Sequence, residues 1–223
     1  MNNKNSYDFI IAGVGLAGLS LAMQLKNANV NFTKVLLIDK DLKNKNDRTW
    51  CFWSKEKDNW FDKVIFKRWS KFKFSSSGLN KVCEINPYQY CMIKGIDFYN
   101  FCINELKSDK RFEFVTDEIK KIETKNNLAC LHTSTNEYQA NYLFNSAFRT
   151  PKKEKNHINY VQHFKGWLIE TEEKKFDVDC PTFMDFNIHQ KNDCRFVYVL
   201  PFSANKALIE YTGFSSQRID DKE

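Results

Sequence analysis

The chain of 223 residues contains no run of 18 apolar residues, so its sequence offers no membrane-spanning helix. Its seven cysteines, at 51, 83, 91, 102, 130, 180 and 194, include no C-x-x-C pair. Their number is odd and their spacing irregular, which argues against a disulfide framework and for reduced thiols in a cytosolic protein. The four histidines (132, 157, 163 and 189) form no metal pattern. His157 and His163 stand six apart, a spacing that neither strand nor helix periodicity brings squarely together, so no metal site is expected. Basic residues outnumber acidic ones, 34 to 28, for a net charge of +6. Yet no Lys/Arg block alternates with aromatics, and no nucleic-acid partner is expected. The excess is mostly Lys scattered among Asn, as in 40–47 and 120–127. That is the pattern of a solvated face, and it is compatible with contact to an anionic membrane surface.

What the sequence does contain is concentrated in residues 8–39. A short apolar run at 9–12 has the length of a buried strand. Gly13, Gly15 and Gly18 follow in the order G-x-G-x-x-G, then apolar residues at helical spacing over 16–25. A second apolar run at 35–38 ends in Asp39, 21 positions after Gly18. Strand, tight turn, helix, strand and acid together form the dinucleotide-binding fingerprint. Gly13 permits the sharp turn, Gly15 lets backbone approach a pyrophosphate, and Gly18 lets the helix pack on the sheet. The helix N-terminus offers free N–H groups to phosphate, and Asp39 can accept hydrogen bonds from a ribose. Lys4 with the apolar stretch reaching Met23 has the outline of a signal peptide. Asp8 interrupts it and the glycine spacing explains more of its residues, so a cytoplasmic chain is expected.

Beyond Asp39 a polar loop (40–48) leads to aromatics at 49–53, with Trp60 and Trp69 after them. These serve as core or as the wall of a large apolar ligand. Alternation over 63–76 predicts a half-buried strand pair, and 89–93 a further strand. Residues 97–106 read as a helix with Asp97 near its N-cap, and 112–115 as a strand. A small antiparallel meander is expected over 119–140 with its turn at Asn126–Asn127, then a separate short strand at 142–146. Past Pro151 only strands are expected: 160–171, 182–189, 195–203 and 207–214. Of these, 195–203 alternates weakly and is placed centrally. The expected partition is 1–58 with 82–150 as an FAD-binding Rossmann-like domain, and 59–81 with 151–223 as a β-sheet substrate domain.

Four motifs in order resemble the flavin-dependent lycopene cyclases of the beta-cyclising type. They are Asp47-Arg48-Thr49-Trp50-Cys51-Phe52-Trp53, the string Gln162-His163-Phe164-Lys165-Gly166-Trp167-Leu168-Ile169-Glu170-Thr171, Phe183-Met184-Asp185-Phe186, and 196–203 running on to Ala207-Leu208-Ile209-Glu210-Tyr211-Thr212-Gly213-Phe214-Ser215. Each string is short, but their joint occurrence after the fingerprint is specific. The resemblance implies a flavin monooxygenase-like α/β fold: a Rossmann-like FAD domain with a mostly antiparallel β-sheet substrate domain. It implies conversion of lycopene ψ-ends to β-rings, giving γ- and then β-carotene, with reduced FAD, NAD(P)H as reductant, and no net redox change. The carotenoid dissolves in lipid, so work at the inner face of the cell membrane is implied. Family chains continue past the end of this one with a second glycine-rich FAD segment and a helical region. On that ground the chain by itself is expected to be C-terminally incomplete, to bind FAD poorly and to cyclise little.

Such a reaction needs a carboxylic acid that stays protonated in an apolar pocket, and π surfaces for a carbocation. Glu210 matches the family carboxylate and is the first candidate acid. Tyr211 stands where some relatives carry a second acid. Asp185, in an otherwise apolar strand, is the second candidate and Glu170 the third. Arg48 is expected to meet a flavin phosphate or a carboxylate, and Trp50, Trp53 and Trp167 to line flavin or polyene. The same fold also serves flavin monooxygenases and halogenase-like oxidoreductases, the alternative within enzymes; a non-catalytic remnant is the alternative outside them.

Overall fold

The computed structural model describes residues 5–55, 60–147, 156–218 and 220. In chain order the elements are β1 (Ser6–Ala12), α1 (Leu16–Asn27), β2 (Val35–Asp39), β3 (Thr49–Ser54), β4 (Ile65–Trp69), β5 (Lys71–Ser76), β6 (Leu79–Glu84) and β7 (Gln89–Lys94). After these come α2 (Gly95–Lys107), β8 (Phe112–Thr116), β9 (Ile119–Lys125), β10 (Leu128–Thr133) and β11 (Glu137–Asn145). The last four are β12 (Val161–Glu170), β13 (Thr182–Asp185), β14 (Cys194–Ser203) and β15 (Lys206–Ser215). They divide into one unit of 1–50 with 93–150 and a second of 51–92 with 151–223.

In the first unit a six-stranded sheet runs β8-β2-β1-β11-β10-β9. β1 pairs in parallel with β2 and with β11, and β2 with β8. Such strands are buried on both faces, which is why β2 reads as an unbroken apolar run. One core gathers Ile10, Ala12, Leu36 and Ile38 with Leu131, Tyr138 and Ala140. Leu19 and Met23 of α1 and Phe98, Cys102 and Leu106 of α2 are also buried. Lys26 ties the two helices together, its Nζ donating to the Glu105 carbonyl (2.6 Å) and carboxylate (2.9 Å).

The meander turns at Asn126 and Asn127, both with positive φ (51° and 61°), the conformation that suits Asn in a two-residue hairpin turn. The separate strand expected at 142–146 is instead the second half of β11. Ala140 within it pairs with Ala129 of β10 on one side and Tyr7 of β1 on the other. One strand thus joins the antiparallel meander to the parallel sheet.

The second unit holds a six-stranded sheet, β12-β15-β14-β13-β5-β6, and a three-stranded sheet, β3-β7-β4. β14 is interior, as its weak alternation suggested. β13 pairs antiparallel with β14 and parallel with β5. Both strands expected over 63–76 form, as β4 and β5, but only Ser70 separates them and each joins a different sheet, so they do not pair with each other. β6 was not anticipated: its outer position in the sheet leaves it polar and mostly exposed, without a core-facing pattern. Trp69, Tyr90, Met92 and Leu200 form the buried centre, with Cys51, Phe183, Tyr198 and Leu208 packed around them. This core explains why 51–55 and 82–92, expected with the first domain, cluster with the second: β3 and β7 carry its side chains.

Candidate active site

In the first unit the three fingerprint glycines do different work. Gly13, at φ +99°, takes a conformation L side chains rarely adopt, and its N–H donates to the Ile38 carbonyl at 2.8 Å. A Cβ there would stand 2.4 Å from Ser146 Oγ, and one on Gly18 would stand 2.0 Å from the Gly13 carbonyl oxygen. A Cβ on Gly15 would meet nothing within 4 Å. Gly13 and Gly18 are therefore demanded by the protein's own packing, while the space beside Gly15 is open. The first turn of α1 has no side-chain cap and no acidic residue, which leaves its N–H groups for an anion.

A cavity of about 670 Å³ opens at this point, lined by residues of the glycine turn, Asp39 at the end of β2 and Lys43 after it, Ile119 and Ile122 of β9, and Asn145, Ser146 and Ala147 at the end of β11. Asp39 is already engaged: Oδ2 accepts the Val14 N–H (2.7 Å) and meets Lys43 Nζ (3.2 Å), and Oδ1 accepts the Asp41 N–H (3.0 Å). It fastens the glycine turn as well as lining the cavity. Ser146, which sequence reasoning missed, donates through Oγ to the carbonyls of Ala12 (3.1 Å) and Gly13 (3.0 Å). No local motif marks it, because it reaches the turn only through the β1–β11 pairing. Open backbone at Gly15, free helix N–H groups and a carboxylate on one cavity fit the ADP part of a dinucleotide.

Arg48 is exposed and is not among the residues lining this cavity. Its carbonyl accepts the Gly95 N–H (2.7 Å) at the start of α2, and its guanidinium donates to the Asp47 carbonyl (3.2 Å). Its neighbours dock on the same helix. Asn46 accepts the Ile96 N–H (3.2 Å), Tyr99 donates to Asp47 (3.1 Å), and Trp50 stands edge-on to Phe98 and Tyr99, both at 5.6 Å.

In the second unit Glu210 lies on β15 between Tyr198 of β14 and Gly166 of β12, its cross-strand partners. Burial raises its carboxyl above the ordinary carboxylate value, and a hydrogen bond from the buried Thr212 hydroxyl (3.3 Å) opposes that rise. A row of rings leads up to it. Trp53 packs on Tyr90 (4.7 Å) and Phe183 (5.3 Å), and Phe183 on Tyr198 (5.7 Å). Burial pushes the Cys51 thiol up to about 12 and also raises the neighbouring Tyr90 hydroxyl. Both groups, with Tyr198, feel the charge of Glu210. The surroundings of Glu210 are thus aromatic and partly buried, and they shift its carboxyl toward the protonated form. Cys51, Tyr90, Tyr198 and Thr212 were not singled out from sequence, since only strand register brings them together.

The other candidates stand elsewhere. Asp185 pairs in register with Val197, one residue from Tyr198, so strand alternation turns it to the face opposite Glu210. Its Oδ1 accepts the Asn187 N–H (2.9 Å) in a local turn. Trp167 pairs with Ile209 and also lies on that opposite face, 48% exposed, with Lys165 Nζ 5.9 Å from its ring centre. Glu170 is in an exposed cross-strand ion pair with Lys206 (3.0 Å). Glu170 shares the face of Glu210 by alternation along β12 but sits at its exposed end, so of the three acids Glu210 alone is partly buried beside the rings. Among the described residues no group of three or more His, Cys, Asp or Glu is placed to hold a metal, and no helix is long and apolar enough to cross a membrane.

The fold is shared with flavoenzymes. A single-residue variant of HpxO from Klebsiella pneumoniae, solved with FAD, superimposes with a TM-score of 0.65 at 14% identity over 97% of this chain and 60% of its own. A tryptophan halogenase from Shewanella frigidimarina gives 0.66 at 10% identity, over 98% and 58%. The 2,6-dihydroxypyridine-3-hydroxylase of Arthrobacter nicotinovorans gives 0.60 at 12%, over 96% and 57%. The chain thus has the flavin monooxygenase-like fold and spans at most 60% of these three structures. No curated protein sequence matches it. The family described as lycopene cyclase protein, however, matches residues 8–221, which takes in the glycine turn, the aromatic face and Glu210, and the chain belongs to that family.

Proposed function

We propose that the protein is a lycopene β-cyclase that closes ψ-ends of lycopene into β-rings by acid catalysis, yielding γ- and then β-carotene. The observation that carries this reading is a half-buried carboxyl, Glu210, raised by burial above the ordinary carboxylate value, at the end of a row of aromatic rings. Glu210 donates its proton to the terminal alkene, which becomes a tertiary cation. The folded-back chain adds its next double bond to that cation, forming the ring C–C bond. A proton then leaves the adjacent carbon and restores the acid, so atoms and electrons balance as an isomerisation. Tyr198, Phe183 and Trp53 present π faces, and such faces attract a cation more strongly once water is excluded. Thr212 orients the carboxyl through its hydroxyl.

The turn at Gly13, Gly15 and Gly18, with the α1 N-terminus, Asp39 and Ser146, would hold the ADP part of FAD. Bound in reduced form, with NAD(P)H as its reductant, the flavin would supply negative charge that favours a nearby cation. Lycopene is dissolved in lipid, so the protein works as a peripheral protein on the inner face of the cell membrane. The test is to express the complete gene product in a lycopene-accumulating bacterium and to separate the carotenoids. β-Carotene is expected from the wild type, and its loss from Glu210→Gln. Undiminished rings with Glu210→Gln would overturn the acid. Oxygen uptake driven by NAD(P)H with an aromatic substrate, and no rings, would favour a monooxygenase instead.

A further inference from the structure

Gly166 sits on β12, the outermost strand of the six-stranded sheet, and pairs directly with Glu210. The register along β12 is unbroken, with Phe164 opposite Thr212 and Leu168 opposite Leu208. Alternation therefore puts Phe164, Gly166 and Leu168 on the face that carries Glu210, and Lys165 and Trp167 on the other. Phe164 is 60% exposed and Leu168 55%. Two large apolar side chains thus flank a position with no side chain, and the acid lies beside that gap.

The backbone does not call for glycine here. Among the described residues the glycines with positive φ are Gly13 and Gly78, so Gly166 is in ordinary extended conformation. A Cβ at 166 would meet Leu208 Cδ1 at 3.2 Å, the movable end of a side chain, and then Ile209 O at 3.8 Å and Glu210 Cγ at 4.0 Å. Alanine would fit after a small shift. Glycine inside a strand is itself unfavourable, and its presence often marks close approach of a ligand. What the missing side chain provides is room next to the Glu210 carboxyl. The side of Glu210 toward β14 is filled by Tyr198 and its row of rings.

We propose that Gly166 is a specificity-determining residue: the notch between Phe164 and Leu168 admits the apolar end of the substrate to Glu210 from the outer strand. The proposal rests on the cyclase reading for the identity of that end. The notch offers hydrocarbon on both flanks, and the Thr212 hydroxyl beside it is engaged with Glu210. It therefore suits a branched polyene terminus without polar substituents.

The experiment compares Gly166→Ala, Gly166→Val and, on the opposite face of the same strand, Lys165→Val, in purified complete protein with liposomal lycopene and reduced FAD. Ring formation is expected to fall a fewfold in Gly166→Ala and by about tenfold or more in Gly166→Val, the scale of one or two methylenes in an apolar pocket. The loss should appear mainly in KM, with flavin content and melting temperature kept or raised. Lys165→Val should behave as wild type. Wild-type KM in Gly166→Val would overturn the proposal while leaving the acid role of Glu210 intact. If the wild type forms no rings, the cyclase reading fails, and the notch is read from quenching of tryptophan fluorescence by micellar lycopene. Binding weakened about tenfold by Gly166→Val supports the notch; unchanged binding overturns it.

Discussion

The two units build their sites from different materials. The glycine turn of the first is made of backbone: a left-handed Gly13, a bare Gly15, and helix N–H groups without a cap. Its one prominent side chain, Asp39, spends its hydrogen bonds partly on the turn itself. The face around Glu210 in the second is made of side chains from three neighbouring strands, and the pKa of its acid is set by burial rather than by a partner charge. A backbone site depends on where an added atom would stand, open at Gly15 and closed at Gly13 and Gly18. A side-chain site keeps its fold when one group changes and loses its chemistry.

The sharpest test of that contrast is a pair of exchanges. Glu210→Gln should lower ring formation by about 10²–10⁴, the usual worth of a general acid, with flavin content untouched. Gly15→Val should do the converse: flavin content falls to background, while the melting temperature stays at the wild-type value because nothing lies within 4 Å of the new Cβ. Gly18→Ala separates packing from binding within the turn itself. Its Cβ would lie 2.0 Å from the Gly13 carbonyl, and the chain is expected to lose about 3 kcal/mol in denaturant unfolding. Equal stability of Gly15→Val and Gly18→Ala would erase the distinction between the two glycines.

Thr212→Val comes next in size. The buried hydroxyl donates to Glu210, and its loss should cost on the order of 1 kcal/mol. The sign of the pH effect follows from what each group does to the carboxyl. Burial raises Glu210 and the Thr212 hydrogen bond lowers it, so its removal raises the carboxyl further. The reaction uses the protonated acid, so activity declines as pH rises through that pKa, and the declining limb should move to higher pH in Thr212→Val. Stability carries the same sign. A carboxyl raised on folding contributes stability that is complete below the ordinary Glu value and is lost as pH rises through the folded one. Glu210→Gln should therefore gain stability over wild type on the alkaline side. An unmoved pH profile in Thr212→Val would remove threonine from the acid's surroundings.

The same contrast decides what could be read from sequence. The glycine turn was legible because its parts lie within one βαβ stretch at fixed spacing, Gly13, Gly15, Gly18 and Asp39. Ser146 was not, because it arrives through a parallel pairing with residues more than 130 positions earlier. Glu210 was found by family resemblance and not by pattern; a lone acid in a strand ordinarily reads as surface. Its neighbours required register. Asp185 and Glu210 both sit in apolar strands, and only the pairing of Asp185 with Val197 and Glu210 with Tyr198 sends them to opposite faces. Trp50 and Trp53 are three residues apart in one aromatic run, yet Trp50 packs on α2 and Trp53 on Tyr90 and Phe183. Aromatic density in that run gave no sign that the chain passes from one unit to the other between them.

The smallest effect belongs to Glu170, and its smallness is the point. It resembles Glu210 in sequence: an acid closing an apolar strand within a family string. Its carboxylate meets Lys206 across the strand pair at 3.0 Å, with the two side chains 64% and 37% exposed. Water screens such a pair, and measured exposed pairs contribute about 0–1 kcal/mol. Glu170→Gln should therefore change stability by less than about 0.5 kcal/mol and leave ring formation and its pH profile where they were. A loss of rings comparable to that of Glu210→Gln would mean that strand position and burial do not distinguish the acids of this sheet. The assignment of Glu210 would then rest on resemblance alone.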